Sequence, residues 1–72
     1  MDLKSAVEAI EYKIATESDN FESGREIRMD ITTSWPAAAS LEDALRKKFP
    51  FVTLRYEERA NDKMQLILEN RR

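Results

Sequence analysis

The residue types that most often carry out chemistry in proteins are scarce in this 72-residue sequence, which contains neither histidine nor cysteine. The chain therefore lacks the usual general base and has no thiolate nucleophile. Carboxylates remain, and Asp43, Glu57 and Glu58 are the candidates for acid–base catalysis. Nothing in the sequence marks these side chains as buried or paired, and so short a chain encloses little pocket volume. We therefore predict a binding protein that is not an enzyme and uses no metal or cofactor.

Acidic residues are concentrated toward the N-terminus. Residues 1–30 hold eight acids and four bases, whereas residues 31–72 hold six acids and eight bases. An acidic surface can imitate nucleic-acid phosphates and occupy the basic groove of a protein that handles nucleic acid. A solvated loop is the alternative interpretation of the acidic segment at 17–22. The candidate partner-binding residues are Glu17, Asp19, Glu22, Glu26, Asp30 and Trp35.

Trp35 is included because it is the only tryptophan, and tryptophan is enriched at the energetic centres of protein interfaces. The alternative is that Trp35 fills the core at a strand–helix corner whose geometry Pro36 sets.

A nucleic-acid-binding module, most simply one that binds RNA on an exposed sheet face, is the second hypothesis for function. The net charge of -2 is unlike that of a general nucleic-acid binder. The basic run at 46–48 also suits the last turn of a helix, where cations complement the dipole. The residues that would contact nucleic acid are Arg28, Arg46, Lys47, Lys48, Phe51 and Arg55.

Hydrophobic periodicity predicts elements in the order α-β-α-β-β. In the first segment apolar residues recur every three or four positions, and Asp2 is a suitable N-cap. After the single glycine, apolar and polar residues alternate as in a half-buried strand. A second helix begins at Pro36 or Ser40 and ends before Pro50. The predicted ranges are a helix at 2–16, a loop at 17–24, a strand at 25–33, a helix at 37–49, and strands at 51–57 and 63–69.

These elements predict one α+β domain over residues 1–72. The helix between the first two strands allows a right-handed parallel crossover, and the last two strands form an antiparallel hairpin. We therefore predict a two-layer sandwich in which both helices cover one face of a small three-stranded mixed sheet. The opposite face is predicted to be exposed and to carry Arg28, Asp30, Thr32, Phe51, Thr53, Arg55, Gln65 and Ile67.

A family resemblance rests on four short segments. The segment ITTSWP at 31–36 is followed by LRKKFP at 45–50, VTL at 52–54 and YEE at 56–58. This order resembles the ferredoxin-like domain of the YubB-type proteins of plasmids and phages, where a Thr/Trp/Pro corner and a helix ending in Phe-Pro precede a strand that runs into Tyr-Glu. The resemblance covers residues 27–58, and the glycine and aromatic residue that usually follow Tyr-Glu are missing here. It implies a ferredoxin-like fold and an origin in a mobile element, and it supplies no catalytic residues.

Small size, dense charge of both signs and this resemblance together suggest a phage- or mobile-element-encoded accessory protein that binds a protein stoichiometrically. An inhibitor of a host defence complex, such as an anti-CRISPR protein, is a concrete form of this hypothesis. A structural homo-oligomer is a third hypothesis, because the apolar side of the first helix and the exposed strand edges could each form a homodimer interface.

We expect a cytoplasmic protein that does not act on membranes. No apolar run reaches the roughly 18 residues needed to span a bilayer. The N-terminal residues 1–4 also lack the basic and then apolar pattern of a signal peptide. The absence of cysteine fits a reducing compartment.

Overall fold

The computed structural model describes residues 1–61 and 63–72 and begins with a helix, α1 (Leu3–Thr16). The predicted N-cap is confirmed, because Asp2 accepts a hydrogen bond from the backbone N–H of Ser5 at 2.8 Å. This hydrogen bond lowers the pKa of the Asp2 carboxyl, since the charged form is the better acceptor. The buried side chains of α1 are Ala6, Ile10 and Ile14.

A second, short helix, α2 (Ser18–Glu22), lies within the segment 17–24 that we predicted to be a loop. Phe21 is only 6% exposed, so the burial of one ring holds this polar segment against the core. Gly24 has a φ of 79°, and its N–H donates to the carbonyl of Phe21 at 3.2 Å. This left-handed residue ends α2 rather than opening the next strand directly. The predicted element order therefore lacked one helix.

The first strand, β1 (Ile27–Ile31), is followed by a helix, α3 (Ala38–Arg46). The N-cap of α3 is Ala37, and neither predicted start, Pro36 or Ser40, is correct. The backbone at Ala37 is extended, with a ψ of 142°, which is the conformation that an N-cap residue adopts. Ser40 consequently lies in the first turn of the helix.

The sheet is completed by β2 (Val52–Arg59) and β3 (Lys63–Asn70), and β3 lies between the other two strands. Both pairings are antiparallel, so β1 and β2 run in the same direction and are not paired with each other. The predicted mixed sheet is therefore wrong. The physical reason is the run 66–68 of β3, whose exposure is at most 1%, because a strand buried on both faces belongs at the centre of a sheet.

Several predicted ends also differ from the observed ones. The helix predicted at 37–49 ends at Arg46, and the next two residues form a turn. The first strand is shorter than 25–33, and the second begins one residue after Phe51 and continues to Arg59.

The three helices and one face of the sheet share a single hydrophobic core, which confirms the α+β class. The phenol of Tyr56 on β2 donates a hydrogen bond to the carbonyl of Pro36. This bond holds the segment between β1 and α3 against the sheet. Burial raises the pKa of the Tyr56 phenol. No helix in the described part of the chain has the length and apolar character needed to cross a membrane. The core residues are Ala6, Ile10, Ile14, Phe21, Ile27, Ile31, Leu41, Leu45, Val52, Leu54, Leu66 and Leu68.

Candidate functional site

The face of the sheet opposite the core is covered by charged side chains, and we call it the charged face. Arg55 lies 3.1 Å from a Glu26 carboxylate oxygen and 3.3 Å from one of Glu69. Arg28 contacts the same Glu26 at 3.0 Å and Glu57 at 3.5 Å. Ion pairs therefore join all three strands. The charged face comprises Glu26, Arg28, Asp30, Thr53, Arg55, Glu57, Arg59, Lys63, Gln65, Ile67 and Glu69.

Ile67 lies at the centre of the charged face, yet only 1% of its surface is exposed. In the strand register it stands between Arg28 on one side and Arg55 on the other. We attribute this burial to the aliphatic stems of the two arginines, whose guanidinium groups reach past Ile67 to the carboxylates. The hydrogen bond from Arg55 lowers the pKa of Glu26, which favours the charged pair above Ile67. The prediction that Ile67 is exposed is therefore wrong.

The charged face does not form the aromatic platform on which single-stranded RNA stacks. No aromatic side chain occupies an outward position of the described strands, and Phe51 lies in the turn before β2, where it is 54% exposed. Both arginines assigned to RNA contact, Arg28 and Arg55, are already engaged by carboxylates of the protein.

The basic run at the end of α3 is largely engaged within the protein as well. Arg46 donates through Nε to the carbonyl of Val52 at 3.0 Å, and Lys48 Nζ lies 3.1 Å from a Glu11 carboxylate oxygen. Lys47 is exposed at the C-cap of α3. The residues predicted to contact nucleic acid therefore lie in three separate places: the charged face, the end of α3 and the turn before β2.

The predicted acidic residues do not form one surface. Glu26 belongs to the charged face, and so does Asp30, which accepts a hydrogen bond from Gln65 at 3.1 Å. Glu17 joins α1 to α2 and lies 2.7 Å from Lys13 Nζ, and the hydrogen bond from Lys13 lowers the pKa of Glu17. These three carboxylates are therefore satisfied by neighbours in the same chain.

The acidic residues of α2 differ from the others. Asp19 and Glu22 are exposed, and within residues 1–61 and 63–72 neither side chain forms an ion pair. Trp35 lies at the corner after β1, where it is half-buried and packs against the core. Among the predicted partner-binding residues, the acidic side chains still available to a partner are those of Asp19 and Glu22.

Beside α2 the surface opens into a cavity of about 360 Å³, which we call the α2 groove. Phe21 and Phe49 line it, and their rings meet edge to face with centroids 5.3 Å apart. Ile14 and Ala15 add the apolar side of α1. The rest of the lining is polar or charged and includes Glu11, Glu22, Lys48 and Arg72.

Asn70 is the polar residue that sequence reasoning missed in this groove. It is only 9% exposed, and its side-chain amide makes no hydrogen bond to any residue of the described chain. The strand predicted at 63–69 stops one residue short of Asn70. The signal for its burial was available, because position 70 continues the inward alternation of Met64, Leu66 and Leu68.

The arrangement offers chemistry suited to binding. The amide of Asn70 can donate and accept hydrogen bonds, and the apolar wall favours a hydrocarbon group. Among the described residues, no group of three or more acidic side chains is arranged to hold a metal ion.

Comparisons of the chain with protein-family models, with curated proteins and with solved structures find no match. The resemblance to YubB-type domains therefore stays a prediction.

Proposed function

We propose that this protein acts by stoichiometric binding of a partner protein through the α2 groove, and that it performs no catalysis. The observation that carries the proposal is the α2 groove, where an apolar wall that includes Phe21 and Phe49 lies beside the side-chain amide of Asn70, which makes no hydrogen bond within the described chain. Because solvent still reaches this amide, its donor and acceptor groups are free to pair with a bound protein.

The occupant that fits is a basic segment of a protein that presents one apolar side chain. The volume of about 360 Å³ is at the lower end of the range for small-molecule pockets and suits a single large side chain. A main-chain N–H and carbonyl next to that side chain can pair with the amide of Asn70. Basic residues beside it would meet the exposed carboxylates of Asp19 and Glu22, which supply attraction and orientation.

A protein that handles nucleic acid presents such basic surface, since it must contact phosphates. We therefore propose a partner of this class. An inhibitor encoded by a phage or another mobile element and directed against a host defence complex is the biological form that agrees with the resemblance. In this form the protein acts in the cytoplasm on a host complex, and its acidic helix α2 occupies part of the surface that otherwise binds nucleic acid.

The test is a capture experiment with a groove variant and a matched control. Ala15 and Ala39 are both exposed helical alanines, but only Ala15 lines the groove. Tagged protein and its Ala15→Tyr and Ala39→Tyr variants are incubated with nuclease-treated host lysate, and each purified binder is then titrated by calorimetry. We expect Ala15→Tyr to weaken binding of a basic protein at least about tenfold, because the phenol ring fills the groove, and Ala39→Tyr to leave it unchanged.

Two outcomes would contradict the proposal. Equal affinities for the Ala15 and Ala39 variants would place the binding surface elsewhere. Recovery of nucleic acid alone, with an affinity that falls steeply as salt is raised, would support the nucleic-acid hypothesis instead.

A further inference from the structure

The two free edges of the sheet are treated differently by the rest of the chain. On β2, the backbone N–H of Leu54 donates to Glu42 Oε1 at 2.9 Å, and the carbonyl of Val52 accepts from Arg46 Nε at 3.0 Å. Two side chains of α3 thus cover the first part of the β2 edge, at Val52 and Leu54. In the described part of the chain no hydrogen bond reaches the outer edge of β1.

The residues on that outer edge follow from the strand register. The backbone groups of Val52 and Leu54 point away from β3. Hydrogen-bonded and non-hydrogen-bonded pairs alternate along an antiparallel ladder, so the backbone groups of Leu66 and Leu68 on β3 point toward β1. The backbone groups of Ile27, Met29 and Ile31 therefore bond to β3. Those of Arg28 and Asp30 point outward and are unpaired within the described chain.

We propose that β1 pairs with β1 of a second copy of this chain in an antiparallel ladder centred on Met29. In this register Arg28 stands opposite Asp30 of the second copy, and Asp30 stands opposite its Arg28. Opposite charges directly across a ladder stabilise the pairing. On the core side, Ile27 faces Ile31 of the second copy, and the two copies of Met29 face each other.

The dimer satisfies the outward N–H and carbonyl groups of Arg28 and Asp30 in both copies. It joins the two sheets into one of six strands in the order β2-β3-β1-β1-β3-β2 and removes the exposed edge of β1. Only five residues of each chain pair, so the interface is small and the dissociation constant falls in the micromolar range, about 1–100 μM.

Charge reversal tests both the contact and its register. Arg28→Asp places carboxylates opposite each other, Asp30→Arg places guanidinium groups opposite each other, and the double variant restores opposite charges. Sedimentation equilibrium measures the mass relative to the 8.4 kDa chain. We expect each single variant to raise the dissociation constant at least about tenfold and the double variant to recover most of the loss. Thermal melts verify that each variant is folded.

Cysteine cross-linking provides an independent readout, because the natural chain has no cysteine. In the proposed register, residue 29 forms a non-hydrogen-bonded pair with its own copy at a Cα separation of about 4.5 Å, which suits a disulfide. Residue 28 meets its own copy only diagonally, beyond the roughly 7 Å limit. We expect Met29→Cys to form a disulfide dimer rapidly under mild oxidation, whereas Arg28→Cys, although more exposed, cross-links slowly.

A wild-type mass that stays at 8.4 kDa up to millimolar concentration excludes the second copy and leaves the edge to an extended segment of another protein. A dimer that survives both single charge reversals, or equal cross-linking at positions 28 and 29, refutes the register. Neither result depends on the partner bound at the α2 groove.

Discussion

Replacing Ile67 with alanine should destabilise the protein as strongly as a substitution in the main core, although Ile67 lies on the charged face. The residue is 1% exposed, and removing a fully buried isoleucine side chain down to alanine costs about 2–5 kcal/mol. The flexible stems of Arg28 and Arg55 can collapse into the space, so we expect the low end, about 2 kcal/mol. A domain of this size has a free energy of unfolding of about 4–11 kcal/mol, so the loss is a large fraction of the total.

The assay is urea unfolding followed by circular dichroism, with the free energy of unfolding taken at constant m-value. Lys63→Ala is the matched control, because Lys63 is an exposed residue of the same strand on the same face. We expect it to change stability by less than about 0.5 kcal/mol. If Ile67→Ala costs no more than Lys63→Ala, the arginine stems do not bury Ile67, and our account of the charged face is wrong.

Two further substitutions test other parts of the fold. Gly24→Ala should lower the free energy of unfolding in urea by about 1–2 kcal/mol, because Gly24 has a φ of 79° and alanine is strained there. Steric overlap adds nothing, since an added Cβ would lie at an ordinary 3.6 Å from the Asn70 carbonyl. An unchanged midpoint would show that the helix end relaxes freely. Glu26→Gln should remove a pH-dependent part of the stability. Because Arg55 lowers the pKa of Glu26 in the folded state, the advantage of the wild type is complete above the ordinary glutamate pKa and disappears as pH falls through the lowered value. A difference between the two proteins that stays constant from pH 7 to pH 2 would contradict the ion pairs drawn at Glu26.

Local features of the fold were predictable because each depends on residues close in sequence. Asp2 lies just before a periodic apolar segment, and alternation in the strands correctly assigned the inward residues of β2 and β3. The position of β3 was not read from the sequence, because pairing order depends on which strand can be buried on both faces. The continuous run 66–68 carried that information. The helix α2 was missed because a single ring, Phe21, holds it in place.

The candidate site was less accessible to sequence reasoning, because it is assembled from distant positions. Ile14, Phe21, Phe49 and Asn70 come together at the α2 groove only after the helices pack on the sheet. Charge counting correctly located the acidic half of the chain but could not tell which carboxylates the protein itself would satisfy. Glu26 forms ion pairs with Arg28 and with Arg55, which is far along the chain, and no local sequence pattern predicts that pairing.

The central place of β3 determines when the domain can form during synthesis. The first two strands to leave the ribosome, β1 and β2, are not hydrogen-bonded to each other through their backbones in the folded sheet. Ile27 can pair only after Leu68 has been synthesised. Contacts so distant along the chain are made late and slow the search for the native state. Until β3 emerges, neither β1 nor β2 can pair as it does in the described sheet, so we expect the sheet to form only once β3 is available.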